Sequence, residues 1–252
     1  MIQFFRRIRK TLVDDNKPIK YLRYAIGEIV LVMIGILLAL QVNNWNQDRQ
    51  QRQKEKQILI ELKRDLVSND SILQNTIEIQ QIITGEITSL IAHLKNKEPF
   101  NDTIGMYLNH AYFVERIQFT SSAYESLKSI GIDIISSNNL RADIANLFSN
   151  EFPNKTLWMS EAGLLQTSAI KPYYTKFLEA IDEKNPVKSS LGHPEYQYIV
   201  DYVNLLKSRE FINELAGRKR FKRAICFTLE QLQDKVKKTV NEIDKELEHF
   251  NP

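Results

Sequence analysis

A chain of 252 residues with one cysteine, Cys226, and a net charge of +3 is long enough for a sizeable core and excludes an intrachain disulfide framework. The basic excess sits in residues 1–24, with seven Lys or Arg against two Asp; beyond residue 24 the acids slightly outnumber the bases. That distribution excludes a basic nucleic-acid-binding domain, so nucleic acid is not an expected partner.

The opening MIQFFRRIRKTLV spaces Phe4 or Phe5, Ile8 and Leu12 about a helical turn apart, with Arg6, Arg7, Arg9 and Lys10 between them. This predicts a short amphipathic helix with a cationic face, lying in the plane of lipid headgroups. Each basic side chain near an anionic leaflet contributes about 1 kcal/mol. Residues 1–18 are therefore expected on the inner, anionic surface of a bilayer. The segment serves either as a topology determinant alone or as a lipid sensor or docking site. Pro18 suits the first turn of the helix that follows.

Residues 25–42, AIGEIVLVMIGILLALQV, hold eleven Ile, Leu or Val in eighteen positions. At roughly −0.3 to −0.6 kcal/mol each, these contribute about −5 kcal/mol toward insertion. A mid-membrane charge at Glu28 costs about 3 kcal/mol, which does not reverse the sign. Such a helix spans ~27 Å, close to the hydrocarbon thickness. A transmembrane helix is therefore expected within 19–45. The apolar stretch is too long for a signal-peptide core, and QVNNWN follows it in place of a small-x-small cleavage site, so an uncleaved anchor is the reading. Seven Lys/Arg before the span against four after it (Arg49, Arg52, Lys54, Lys56) place the N-terminus in the cytoplasm. Tyr21, Arg23 and Tyr24 on one side and Trp45 on the other are the expected interfacial anchors. Glu28, about 6 Å inside the boundary, can reach headgroups, bind a proton, or pair with a basic residue such as Arg23 of a second copy. Gly35 and Ala39 form a small-x-x-x-small pair that lets two spans approach closely. A homodimer through the span and the following helix is a candidate assembly.

From Asn46 onward the chain is rich in charged and amide residues. Leu59, Leu62, Leu66, Asn69, Leu73, Thr76, Gln80, Ile83, Ile87, Leu90 and Leu94 follow steps of three and four. They form a coiled-coil-like seam with polar positions in its middle. One helix is expected to run from the span to about Asn96, ended by Pro99 and Asn101-Asp102. Ser136-Ser137-Asn138 supplies caps for a helix carrying Leu140, Ile144 and Phe148, and Pro153, Pro172, Pro186 and Pro194 set off shorter pieces. A last helix, about Glu210 to His249, carries Ile225, Leu229, Leu232, Val236, Ile243, Leu247 and Phe250. Laid antiparallel on residues 55–96, it buries both stripes. The predicted class is all-α: an N-terminal span continuing into a long coiled-coil-like helix, then an antiparallel bundle, with 46–252 as one extracytoplasmic domain.

Chemistry-bearing motifs are sparse. His93, His110, His193 and His249 have no metal-ligand spacing, Cys226 sits among apolar neighbours, and no Gly-rich phosphate loop occurs. Ser168-Ala169-Ile170-Lys171 matches S-x-x-K without its S-D-N or K-T-G companions. The cluster Gly217-Arg218-Lys219-Arg220-Phe221-Lys222-Arg223 reads first as a solvated surface, with an anionic polymer or headgroup as the sharper alternative. No cofactor, metal or catalytic residue is expected.

Tyr21 to Asn46, YLRYAIGEIVLVMIGILLALQVNNWN, resembles the opening of an uncharacterised family of bacterial single-span membrane proteins, known only as a domain of unknown function. Ala123-Tyr124-Glu125-Ser126-Leu127-Lys128-Ser129-x-Gly131, followed by Ile135, Asn138, Leu140, Arg141 and Ile144, is similar to that family's tyrosine-leucine-glycine turn and the helix after it. Ile130 stands where the family tends to have a second Ser. The turn reads as a tight helix-turn-helix with Gly131 in a left-handed cap, or as a ligand pocket around Tyr124. The resemblance implies a bacterial inner-membrane protein with its C-terminal domain in the periplasm, and supplies no activity. The leading expectation is a non-enzymatic interaction or scaffolding protein whose partner is an unknown envelope protein. A membrane-anchored sensor signalling through a separate partner is the second reading, and an envelope enzyme the third.

Overall fold

The computed structural model describes residues 18–114, 116–180, 187–188, 194–195 and 198–250. The chain divides into two compact units, 1–55 and 56–252. Helix α1 runs Pro18–Lys95, and Pro18 opens it, where its missing N–H costs nothing. Its part in the first unit is exposed from Ile29 to Lys54.

The second unit builds its bundle on the rest of α1. All eleven seam positions from Leu59 to Leu94 are buried within this one chain, so the seam is covered by the chain's own helices. Helix α2 (Asp102–Tyr112) follows a turn in which Lys97 takes φ 54°. Asn101 caps α2, its side chain accepting from Ile104 N at 3.0 Å. Helix α3 (Ser122–Ile130) ends at Gly131, φ 112° and ψ 123°. The positive φ fits glycine as expected, but the ψ is extended and not left-handed helical. A 3-10 turn (Ile132–Ile134) leads to α4 (Asn138–Asn146). The cap of α4 is Ser137, whose hydroxyl accepts from Leu140 N at 3.4 Å, and Asn138 is already the first helical residue.

The prolines divide the chain less than expected. Helix α4 passes through a π turn (Leu147–Glu151) directly into α5 (Phe152–Phe177). Pro153 has no N–H to give Ser149 and its ring crowds that carbonyl, so the backbone widens there and continues. Pro172 lies inside α5, and Pro186 is outside the described residues. Two short antiparallel pairings follow, β1 (Leu178–Ala180) with β4 (Tyr198–Val200) and β2 (Val187–Lys188) with β3 (Pro194–Glu195). At two or three residues each they leave the architecture helical. A single turn, α6 (Tyr202–Leu205), precedes α7 (Arg209–Glu248).

Helix α7 lies antiparallel on α1, as its contacts show. Lys63 Nζ donates to Asp244 Oδ1 at 2.5 Å, Lys237 Nζ lies 3.8 Å from Asp70 Oδ1, Gln233 Nε2 donates to Gln74 Oε1 at 3.1 Å, and Cys226 Sγ meets Ile77 O at 4.0 Å. Partner numbers fall along α7 as they rise along α1. The buried apolar residues form two clusters. One joins Ile58–Ile77 of α1 with α3, α4 and Ile225–Ile243 of α7. The other joins Ile83–Leu94 with α2, the end of α5, Phe211 and Leu215.

Candidate functional site

Between the two apolar clusters lies a polar layer. Gln80 sits on α1 between Ile77 and Ile83, and Arg218 and Lys222 sit on α7 between Leu215 and Ile225. Gln80, Arg218 and Lys222 are 0%, 2% and 3% exposed. The stripe of α7 runs Phe211, Leu215, Arg218, Lys222, Ile225, Leu229 in steps of three and four, which carries both cations to the inner face. The expectation of a solvated basic surface is therefore corrected for these two residues. Arg220 and Arg223 are exposed. The signal that finds them is the position of 218 and 222 on the apolar stripe, which outranks their charge.

Arg218 Nη2 donates to the carbonyls of Tyr112 (2.9 Å) and Phe113 (2.8 Å), and Lys222 Nζ donates to Phe113 O at 3.3 Å. The end of α2, whose last carbonyls have no helical partner, supplies Tyr112 O. Burial pushes the Arg218 guanidinium below its ordinary value, partly offset by Tyr174 and Tyr112. Arg218 Nε and Nη1 and both amide atoms of Gln80 are buried without a hydrogen-bond partner. These residues line a cavity of about 10 Å³ together with Val114, Met159 and Gly163. A Cβ on Gly163 would stand 2.8 Å from Val114 Cγ1, so α5 approaches this point only as glycine.

The sequence-derived candidates fall elsewhere. Arg6, Arg7, Arg9 and Lys10 lie outside the described residues, as do the side chains of Tyr21, Arg23 and Tyr24. Glu28 is half-buried, and Trp45 is exposed. A Cβ on Gly35 would meet nothing within 4 Å, so no neighbour in this chain requires a glycine there. His110 and Glu86 form a buried pair, Nδ1 to Oε2 at 2.5 Å, and His93 Nδ1 lies 3.0 Å from Glu98 Oε2. His193 is outside the described residues and His249 ends α7. Ser168 and Lys171 are both exposed, and the Ser168 hydroxyl donates to Leu164 O. Tyr124 is core rather than pocket: its hydroxyl bonds Ser149 Oγ at 2.7 Å and its ring stacks on Phe148 at 5.0 Å. Among the described residues no group of three His, Cys, Asp or Glu is placed to hold a metal. One helix among them is long and apolar enough to cross a membrane.

The model of the family described as "Family of unknown function (DUF6090)" matches residues 28–208. The chain belongs to DUF6090. The matched segment begins within the apolar run and stops just before α7, so Arg218 and Lys222 lie beyond it. No curated protein and no solved structure matches the chain.

Proposed function

We propose that the chain is a single-span protein of a bacterial inner membrane, with its N-terminus in the cytoplasm, acting as a non-enzymatic scaffold through its helical unit. The observation that carries this reading is that none of the apolar window near the start of α1 is buried inside the protein. A soluble core helix of that composition buries one face at least; this one leaves Ile29 to Leu40 open on every side, which only lipid satisfies at low cost. The Lys/Arg excess before the span supports the orientation. For the interaction role, Leu157 and Leu164, two turns apart on α5, and the adjacent Leu165 are more than half exposed, an apolar face suited to an envelope protein. Gly35 and Ala39 suit a second copy packed along the span. The sensor reading draws on the polar layer, a built feature inside the bundle.

The test is alkaline carbonate extraction of membranes, followed by labelling of Arg52→Cys in a Cys226→Ser background with an impermeant maleimide. Retention in the pellet and labelling in intact spheroplasts are expected. Release into the supernatant removes the anchor, and labelling only after lysis reverses the orientation. Oxidation of Gly35→Cys in the same background gives a disulfide dimer if spans pack through that face, and monomer if they do not.

A further inference from the structure

We infer that the cleft where α1 gives way to α2 is a binding site for a neutral sugar of one or two rings. The cleft measures about 420 Å³, within the roughly 300–1,000 Å³ found for small-molecule sites. Its floor is His93 and Ile104, both buried, with Tyr107 half-buried beside them. Ser89, Ala92, Glu98, Asn101 and Thr103 form an exposed rim. The shape is held from several sides. His93 places Nδ1 3.0 Å from Glu98 Oε2 and Nε2 3.0 Å from Pro99 O, which fastens the turn after α1 to the helix. Tyr202 of α6 donates to Glu98 O at 2.8 Å and packs edge-on against Phe100 at 5.5 Å. A wall fixed before a ligand arrives spares the cost of ordering it.

The chemistry of the wall selects the ligand. Among the described residues, the hydroxyls of Ser89, Thr103 and Tyr107 have no hydrogen-bond partner, and the Asn101 side chain uses only its oxygen, on Ile104 N. Each hydroxyl both donates and accepts, and Asn101 Nδ2 donates, so the cleft offers mixed hydrogen bonding at several points. The ring hydroxyls of a sugar answer that pattern in kind. Ala92, Ile104 and the Tyr107 ring give an apolar patch for its C–H face. Charge is not what the cleft recognises. Glu98 meets His93 with one oxygen and accepts from Asn96 Nδ2 at 2.9 Å with the other, so its carboxylate is engaged before a cation arrives. An anion would face that carboxylate and Asp102, exposed next to Asn101. The inference stands apart from the membrane reading, since every residue of the cleft belongs to the second unit.

The test uses the full chain in lipid nanodiscs, probed by saturation-transfer NMR with glucose, galactose, N-acetylglucosamine and their disaccharides in turn. At least one should show transfer above that of empty nanodiscs, with saturable binding in the millimolar range. Ala92→Trp, on the exposed rim, should fill the cleft and abolish the transfer. Thr88→Ala, exposed but outside the cleft, should retain it. The double variant Ser89→Ala, Thr103→Val keeps the shape and removes two hydroxyls, and should weaken binding at least several-fold. It decides the matter if Ala92→Trp does not fold by circular dichroism. Glucose 6-phosphate and ethanolamine serve as charged probes and should bind no tighter than the neutral sugars. Absence of transfer from every sugar, unchanged transfer in either folded cleft variant, or a charged probe that binds where the sugars do not would each overturn the site.

Discussion

Asn69 sits in the middle of the α1 seam, fully buried, where a leucine would ordinarily stand. Its Nδ2 donates to Thr120 O at 2.8 Å and its Oδ1 accepts from Thr120 N at 2.7 Å. The side-chain amide thus satisfies both main-chain groups of a residue that enters α3 without helix or sheet of its own. Asn69→Ala strands that donor and acceptor and should cost about 2–3 kcal/mol, read by urea unfolding. Gly131→Ala is strained twice, by φ 112° and by an Asp133 Oδ1 only 2.7 Å from the new Cβ. A loss of about 1–2 kcal/mol is expected in the same assay. Two other residues contribute to the alkaline limb of stability, Lys238 weakly because its ion pairs lie in solvent. Burial and then the charge of Glu98 raise Tyr202 above its ordinary 10.0. Hydrogen bonds to Asp143 and Glu242 raise Lys238 above 10.5. Both folded values lie above the unfolded ones, so each contribution is complete below the ordinary value and is lost as pH climbs through the folded one. Unfolding temperature should fall as pH climbs from about 10 upward, past the ordinary values of both groups, and the combined Tyr202→Phe, Lys238→Met protein should fall less.

Helix α3 shows how one element depends on another. Ser121, at its N-cap position, makes no side-chain capping bond. The acceptor comes from α1: Asp65 Oδ2 takes the Ala123 N–H at 2.8 Å and the Ser122 hydroxyl at 3.1 Å. A carboxylate at a helix N-terminus also meets the positive end of the dipole. Asp65→Ala should therefore unwind the first turn of α3 and cost about 1–2 kcal/mol, seen as faster amide exchange at Ala123 and Tyr124 than in Asn69→Ala. Such a cap was invisible in the sequence, because the cap and the capped turn lie 58 positions apart. What was legible followed from periodicity. Leu59 to Leu94 and Ile225 to Ile243 repeat at three and four; the structure buries both runs, the Leu59–Ile77 part in one cluster with Ile225–Ile243 and the Ile83–Leu94 part with α2, the end of α5, Phe211 and Leu215. The same rule located Gln80 in the seam. Arg218 and Lys222 lie on the same stripe of α7, but their charge reads as surface by residue type alone. Pro172 misled for a related reason: an interior proline removes one hydrogen bond, and a 26-residue helix packed along its length absorbs that loss.

At the scale of the molecule, the last helix decides whether the second unit exists. The family match ends at residue 208, and α7 begins at Arg209. Yet α7 places Phe211 and Leu215 in one apolar cluster and Ile225, Leu229, Leu232, Val236 and Ile243 in the other. At roughly 1.5–3 kcal/mol for each buried side chain, seven such residues contribute about 10–20 kcal/mol. That matches or exceeds the whole net stability of about 5–15 kcal/mol expected of a domain. Removing α7 also takes five residues out of the cluster that buries Leu59, Leu62, Leu66 and Leu73. Every buried residue of both clusters lies between Ile58 and Ile243, so residues 56–252 hold a complete core without the apolar run. The fragment 56–252 should be soluble without detergent and unfold in one cooperative transition by circular dichroism. The fragment 56–208, which retains only the family-matched part of that unit, should lack a cooperative transition and aggregate on size-exclusion chromatography. A folded, monomeric 56–208 would show that α1 to α6 close a core of their own and that α7 is an addition to it.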